Sequence, residues 1–192
     1  MTNTSLRLFQ VDAFAERLFQ GNPAAVCPLD AWLPDVLLQS IAAENNLAET
    51  AYFVPNDHGY ELRWFTPTAE VKLCGHATLA SAYVLFECLG HSGNNIRFTT
   101  RHSGELGVQR DADMLWLDFP AQSAEPLDAP VPELAAGLNI QPEQVFAGPN
   151  YLAVYEQESD IAKLTPDMRA LAKLPDRCVI ATAPADGPEL DF

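Results

Sequence analysis

With 192 residues, the chain is long enough for one ordinary domain or two small ones, and 48% hydrophobic residues supply a real core, which excludes a disordered chain. A balance of 26 acidic against 11 basic residues gives a formal charge of -15 with no Lys/Arg cluster, so nucleic acid is excluded as a partner. Met1-Thr2-Asn3-Thr4-Ser5 has no basic region followed by an apolar stretch, and the longest apolar run falls short of the roughly 20 residues that cross a bilayer. The expectation is a cytoplasmic protein with no membrane partner.

Residues 6–11 read as a strand by alternation. A turn at Gly21-Asn22-Pro23 leads into a short buried strand over residues 24–27, closed by Pro28. Pro34 suits a first helical turn, and Val36, Leu37, Ser40, Ile41 and Glu44 mark an amphipathic face of the helix that follows. Asn45-Asn46 ends it, because Asn tolerates the left-handed conformation. Alternation over residues 49–54 places Glu49, Ala51 and Phe53 on one strand face, and a second strand covers residues 60–65. Residues 75–89 form a helix that is apolar on every side, with no charge before Glu87, ending at the natural C-cap Gly90. Such a helix must be sheathed by other structure. Strands follow over residues 96–100, 106–110 and 115–119.

Beyond Phe119 the texture changes. Pro120, Pro126, Pro130 and Pro132, with Glu125 and Asp128, read as a linker over residues 120–132, dividing a first domain at 1–119 from a second at 133–192. The second set has helices near 132–138 and 166–173, a strand pair over 145–155 and a strand over 177–183, but no all-apolar helix of its own. Leu190-Asp191-Phe192 reads like the start of another strand.

Cys27, Cys74, Cys88 and Cys178 form no CxxC pair or zinc-type spacing, so free thiols and no metal are expected. The chain lacks HExxH, GxGxxG and GxxxxGK[ST], and no cofactor is implied. Glu49 is the first candidate for chemistry. A carboxyl sharing a face with Ala51 and Phe53 points toward apolar surroundings, where it can hold and release a proton; from pattern alone the simpler reading is a solvated residue at a strand entrance or a cap on the preceding turn. Gly75 and His76 open the buried helix, whose free N–H groups and dipole end suit an anion, although His76 can also be a satisfied, half-buried side chain. Cys74, beside the same helix end, is either a thiol base or a small core residue, and core packing is the simpler reading. Asn22 either faces a pocket or serves its turn.

Val11-Asp12-Ala13-Phe14, Gly21-Asn22-Pro23-Ala24-Ala25-Val26, Asn46-Leu47-Ala48-Glu49-Thr50, Phe65-Thr66-Pro67 and Cys74-Gly75-His76-Ala77-Thr78 occur in an order and spacing that resembles the phenazine-biosynthesis PhzF-like family. The resemblance is dense from Leu6 to Gly90 and looser to Phe192. It implies an α+β fold of two pseudo-symmetric domains of the diaminopimelate-epimerase type, each a curved, mostly antiparallel sheet around a central helix. It further implies a homodimeric isomerase that moves a proton within a small anionic metabolite without metal or organic cofactor. By the same resemblance Glu49 is the general acid/base, and Gly75 and His76 contact the substrate; Asn22, if it faces the pocket, is a further substrate-binding candidate.

Two departures from the family pattern stand out. Ala48 replaces a Ser, and the Asp-Pro-x-Thr-Gly-Ser-Ala segment that opens the second central helix does not occur in the 192 residues. The second domain is therefore expected to be incomplete and the chain alone to have little activity. Two rival functions remain: a Cys-dependent racemase or epimerase using Cys74, and a catalytically inactive binding protein.

Overall fold

The computed structural model describes residues 5–129, 131–174, 178–188 and 192, so the readings of Met1, Thr2, Asn3, Thr4, Pro130, Arg177, Leu190 and Asp191 lie outside the described residues. The chain forms two compact units, Met1–Pro120 and Ala121–Phe192.

The first unit is an eight-stranded sheet folded around one helix. Its strands are β1 (Phe9–Ala13), β2 (Asn22–Pro28), β3 (Glu49–Asn56), β4 (Gly59–Phe65), β5 (Glu70–Val71), β6 (Asn95–Thr100), β7 (Glu105–Asp111) and β8 (Met114–Asp118). They lie in the order β1-β2-β3-β4-β6-β7-β8, with β5 on β4. The β2/β3 and β4/β6 pairs run parallel and the others antiparallel. Each parallel pair needs a crossover, and the helices supply them. Helix α1 (Asp35–Asn45) joins β2 to β3, and α2 (Gly75–Tyr83) lies in the connection from β4 to β6.

Strand alternation splits the side chains between these helices. Ala24, Val26, Ala51, Phe53, Leu62, Trp64, Ile96, Phe98, Leu106 and Val108 converge on α2, whereas Cys27, Leu29, Tyr52 and Phe65 pack with α1. The first two turns of α2 are buried on nearly all sides, and their hydroxyls are satisfied internally: Thr78 Oγ1 donates to the Cys74 carbonyl at 2.6 Å and Ser81 Oγ to the Ala77 carbonyl at 2.7 Å. From Val84 to Cys88 the helix widens into a π turn, and Tyr83 is 47% exposed with Glu87 one turn on. The expected all-round burial therefore fails in the second half, where the Tyr83/Glu87 side meets solvent and Glu87 pairs with Arg110.

The face assigned to α1 is also corrected. Val36 is 80% and Leu37 44% exposed, while Leu38 and Ala42 are buried. The i, i+4 pair that packs is one step round the helix, and the Tyr52 hydroxyl anchors it by donating to the Leu38 carbonyl at 2.8 Å. Asn46 ends α1 at φ 50°, as its residue type predicts.

On this outer side Arg63 is nearly fully buried. Its Nε and Nη2 donate to Glu70 at 2.7 Å each, Nη1 donates to Asp35 at 2.9 Å, and its guanidinium lies 5.1 Å from the Trp32 ring and 5.0 Å from the Phe65 ring. The bidentate fork, held between two rings, fixes β4 to β5 and to the start of α1.

The second unit has a four-stranded sheet in the order β12-β11-β10-β9, built from β9 (Glu125–Pro126), β10 (Gln144–Ala147), β11 (Tyr151–Val154) and β12 (Val179–Thr182). Its antiparallel β10/β11 and parallel β11/β12 pairs repeat the antiparallel β1/β2 and parallel β2/β3 pairs of the first unit, which is the pseudo-symmetry of the fold. Helices α3 (Pro132–Gly137), α4 (Glu158–Ala162) and α5 (Met168–Leu171) accompany it. Leu134, Leu138, Tyr151, Ala153, Tyr155, Leu174 and Ala183 form its core. The Pro-rich segment expected as a linker contains β9, which pairs with β10 at Phe146↔Pro126. Pro126 is tolerated there because β9 is an edge strand.

Candidate active site

Two elements bring the site together. The left-handed Asn46 turns the chain out of α1 and into β3, whose first residue is Glu49, set opposite Ala24 of β2 in parallel register. Cys74, in an extended conformation, ends the approach to α2, and Gly75 and His76 are its first residues. Because Glu49 shares a β3 face with Ala51 and Phe53, it points to the side on which α2 packs.

The result is a compact cluster. His76 Nε2 lies 3.2 Å from Glu49 Oε2 but is not aligned for a hydrogen bond, and His76 Nδ1 lies 3.4 Å from Cys74 Sγ. The Glu49 side chain is 19% and the His76 side chain 10% exposed, so the pair is shielded without being sealed. Burial pushes the His76 imidazole below its ordinary value, against the opposing pull of the Glu49 carboxylate and the Pro23 carbonyl, and keeps the ring neutral near pH 7. Burial likewise pushes the Cys74 thiol up to about 12, and the Glu49 carboxylate, by its charge and as a second acceptor facing the thiol, adds to the rise, although the N–H groups of Ala77 and His76 face the sulfur and work against it.

Of the sequence-derived candidates, Glu49, Cys74, Gly75 and His76 meet here. Asn22 does not join them by any recorded contact: it opens β2 with an exposed side chain, in register with Ala13. Its neighbour Pro23 reaches His76 instead, through a carbonyl that carries no residue-type signal. Phe119 was also unforeseen. A Cβ placed on Gly75 would meet its ring at 3.9 Å, an ordinary contact, so neither crowding nor a left-handed φ demands glycine at Gly75.

The ligand atoms of Glu49, Cys74 and His76 all lie within 4.8 Å of one another. A carboxylate, a thiol and an imidazole are donor types that a zinc-type ion accepts, but their proximity alone does not make a site. Sequence spacing missed this grouping because Glu49 comes from a different element. Among the described residues, no helix is long and apolar enough to cross a membrane.

A curved sheet around a helix, with a carboxyl, an imidazole and a thiol at the helix mouth, is an epimerase-like architecture. The chain belongs to the phenazine biosynthesis-like protein family (PhzC-PhzF), whose pattern matches residues 11–190. It is 55% identical over 178 residues to an uncharacterized isomerase of Pseudomonas aeruginosa, an alignment spanning 93% of this chain and 68% of that protein. A crystal structure of a PhzF-family phenazine biosynthesis protein from Enterococcus faecalis superposes with a TM-score of 0.85 at 43% identity, covering 96% of this chain and 70% of that one. A predicted epimerase from P. aeruginosa shares the fold at a TM-score of 0.68 and 22% identity, over 92% of this chain and 70% of that chain. The chain is thus an isomerase by class.

Proposed function

We propose that this isomerase moves a proton within a small carboxylate-bearing metabolite, with Glu49 as the group that removes and returns it. The observation that carries the reading is the approach of Glu49 to a neutral His76 at the mouth of a buried helix. A proton that leaves one carbon and returns to another on the same bound molecule needs one carboxyl group able to exchange it, and no organic cofactor. The positive end of the α2 dipole at Gly75 favours a substrate carboxylate, and the His76 N–H can hold a second substrate oxygen. A homodimer remains the assembly proposed for the active protein.

The state of the Cys74 thiol disfavours the racemase alternative. A thiol raised to about 12 beside a carboxylate is a poor source of thiolate. Anchoring is tested with benzoate against neutral benzamide, read through the backbone amide resonances of Gly75 and His76. Benzoate should shift both and benzamide neither; equal responses, or none to benzoate, would remove the carboxylate from the proposal.

A further inference from the structure

The two nitrogens of His76 face different chemistry. Nε2 looks toward the Glu49 carboxylate, a hydrogen-bond acceptor, at 3.2 Å. Nδ1 looks toward Cys74 Sγ at 3.4 Å. A neutral imidazole carries a single proton. Placed on Nδ1, that proton would leave the Nε2 lone pair opposed by the Glu49 carboxylate in a buried space, the arrangement that costs most. Placed on Nε2, it leaves the Nδ1 lone pair in need of a donor, and the Cys74 thiol is the group in reach.

We propose that Cys74 is a positioning residue: its S–H donates to His76 Nδ1, holds the ring as the Nε2–H tautomer, and aims that N–H at Glu49 and the bound substrate. The inference rests on Glu49 and His76 forming the site. Burial of Cys74 at 7% exposure keeps the thiol protonated and available as a donor, which is also why the same group does not serve as a base. Cys74 therefore acts through His76. Its position just before the helix explains how it can do so: the extended backbone of Cys74 turns Sγ back over the first turn of α2, where the imidazole of His76 also lies.

The consequence is specific to the ring. Without the S–H, Nδ1 is left buried and unpaired, and it accepts a second proton more readily, the ring being held charged by the Glu49 carboxylate at Nε2. Glu49 and Cys74 are the titratable groups recorded against the ring among the described residues, so the change has few other sources.

The test uses the 192-residue chain labelled with 15N at histidine, with the His76 ring signals identified by their loss in His76→Asn. Two-bond 1H–15N spectra then report which nitrogen holds the proton, with no substrate present. The expected result is an Nε2–H ring at pH 7 in the wild type. In Cys74→Ala, Nδ1 should take a second proton at a pH where the wild-type ring is still neutral, and Cys74→Ser, which restores a donor, should return the wild-type pattern. A wild-type ring protonated at Nδ1 overturns the proposal whatever the variants do, and so does a Cys74→Ala titration identical to that of the wild type. Since the readout needs no turnover, it stands apart from the proton-transfer reading, which fails separately if Glu49→Gln leaves turnover intact.

Discussion

Replacing Glu70 by Gln should be among the most damaging single changes on the outer side of the first unit. Arg63 has a side chain only 2% exposed, and Glu70, at 24%, takes two of its three hydrogen bonds to carboxylates. A glutamine keeps one acceptor but turns an NH₂ toward the second guanidinium donor, leaving the buried cation with the Asp35 carboxylate and one neutral acceptor. Charged hydrogen bonds contribute about 1.5–3 kcal/mol each, and breaking a buried pair costs about 3–5 kcal/mol, so a loss of about 3 kcal/mol is expected. At roughly 2–4 °C per kcal/mol for a chain of this size, the melting midpoint should fall by roughly 10 °C. Arg63→Met, which removes the cation and fills its space, should cost less than Glu70→Gln. Asp35, at 62% exposure, should matter least of the three. The pH dependence has a definite sign. Hydrogen bonds from Arg63 hold the Glu70 carboxyl below its ordinary value against the opposing effect of burial, so its contribution is complete above the unfolded carboxyl range and is lost as pH falls through the lower folded value. Urea unfolding followed by tryptophan fluorescence is the assay, because Trp32, Trp64 and Trp116 all lie in the first unit. A Glu70→Gln protein within about 0.5 kcal/mol of the wild type, or one with an unchanged acid limb, would refute the ledger of this network.

Two further outcomes follow from the same geometry. Gly59→Ala should weaken the β4/β6 pairing, since Gly59 sits at φ +142° and an added Cβ would lie 2.3 Å from the Arg97 carbonyl oxygen. Faster amide exchange across Asn95–Thr100 is the expected signature, and unchanged protection would contradict it. Thiol titration of the folded chain should find Cys88 and Cys178 fast and Cys27 and Cys74 slow, because the first two are exposed while burial pushes Cys27 up to about 11 and Cys74 up to about 12. Four equally fast thiols would count against the packing described for α1 and α2.

Local patterns made part of this architecture legible before any coordinates. The alternation in β3 placed Glu49 on the same face as Ala51 and Phe53, and the apolar α2 stretch announced a sheathed helix. Both signals are periodic and survive without knowledge of partners. The misreadings came where partners decide. Val36 and Leu37 look like a core stripe, but the surface against α1 accepts Leu38 and Ala42, because Tyr52 bonds to the Leu38 carbonyl. Pro126 reads as linker until an edge position spares its missing N–H. Helix α4 (Glu158–Ala162), with no buried residue, offered no periodic signal at all. Within the site, the parallel register of β2 and β3 sets Glu49 opposite Ala24, a relation that residue types cannot encode.

The central claim is that Glu49 carries the proton. Its most direct test is mass-spectrometric measurement of deuterium uptake from D₂O into a panel of unsaturated carboxylates, comparing the wild-type protein with Glu49→Gln and Cys74→Ser. General acid/base groups typically contribute about 10²–10⁴-fold, so carbon-bound deuterium should appear with the wild type, persist in Cys74→Ser and fall by about that factor in Glu49→Gln. Uptake that survives Glu49→Gln but vanishes in Cys74→Ser would contradict the account and assign the proton to the thiol.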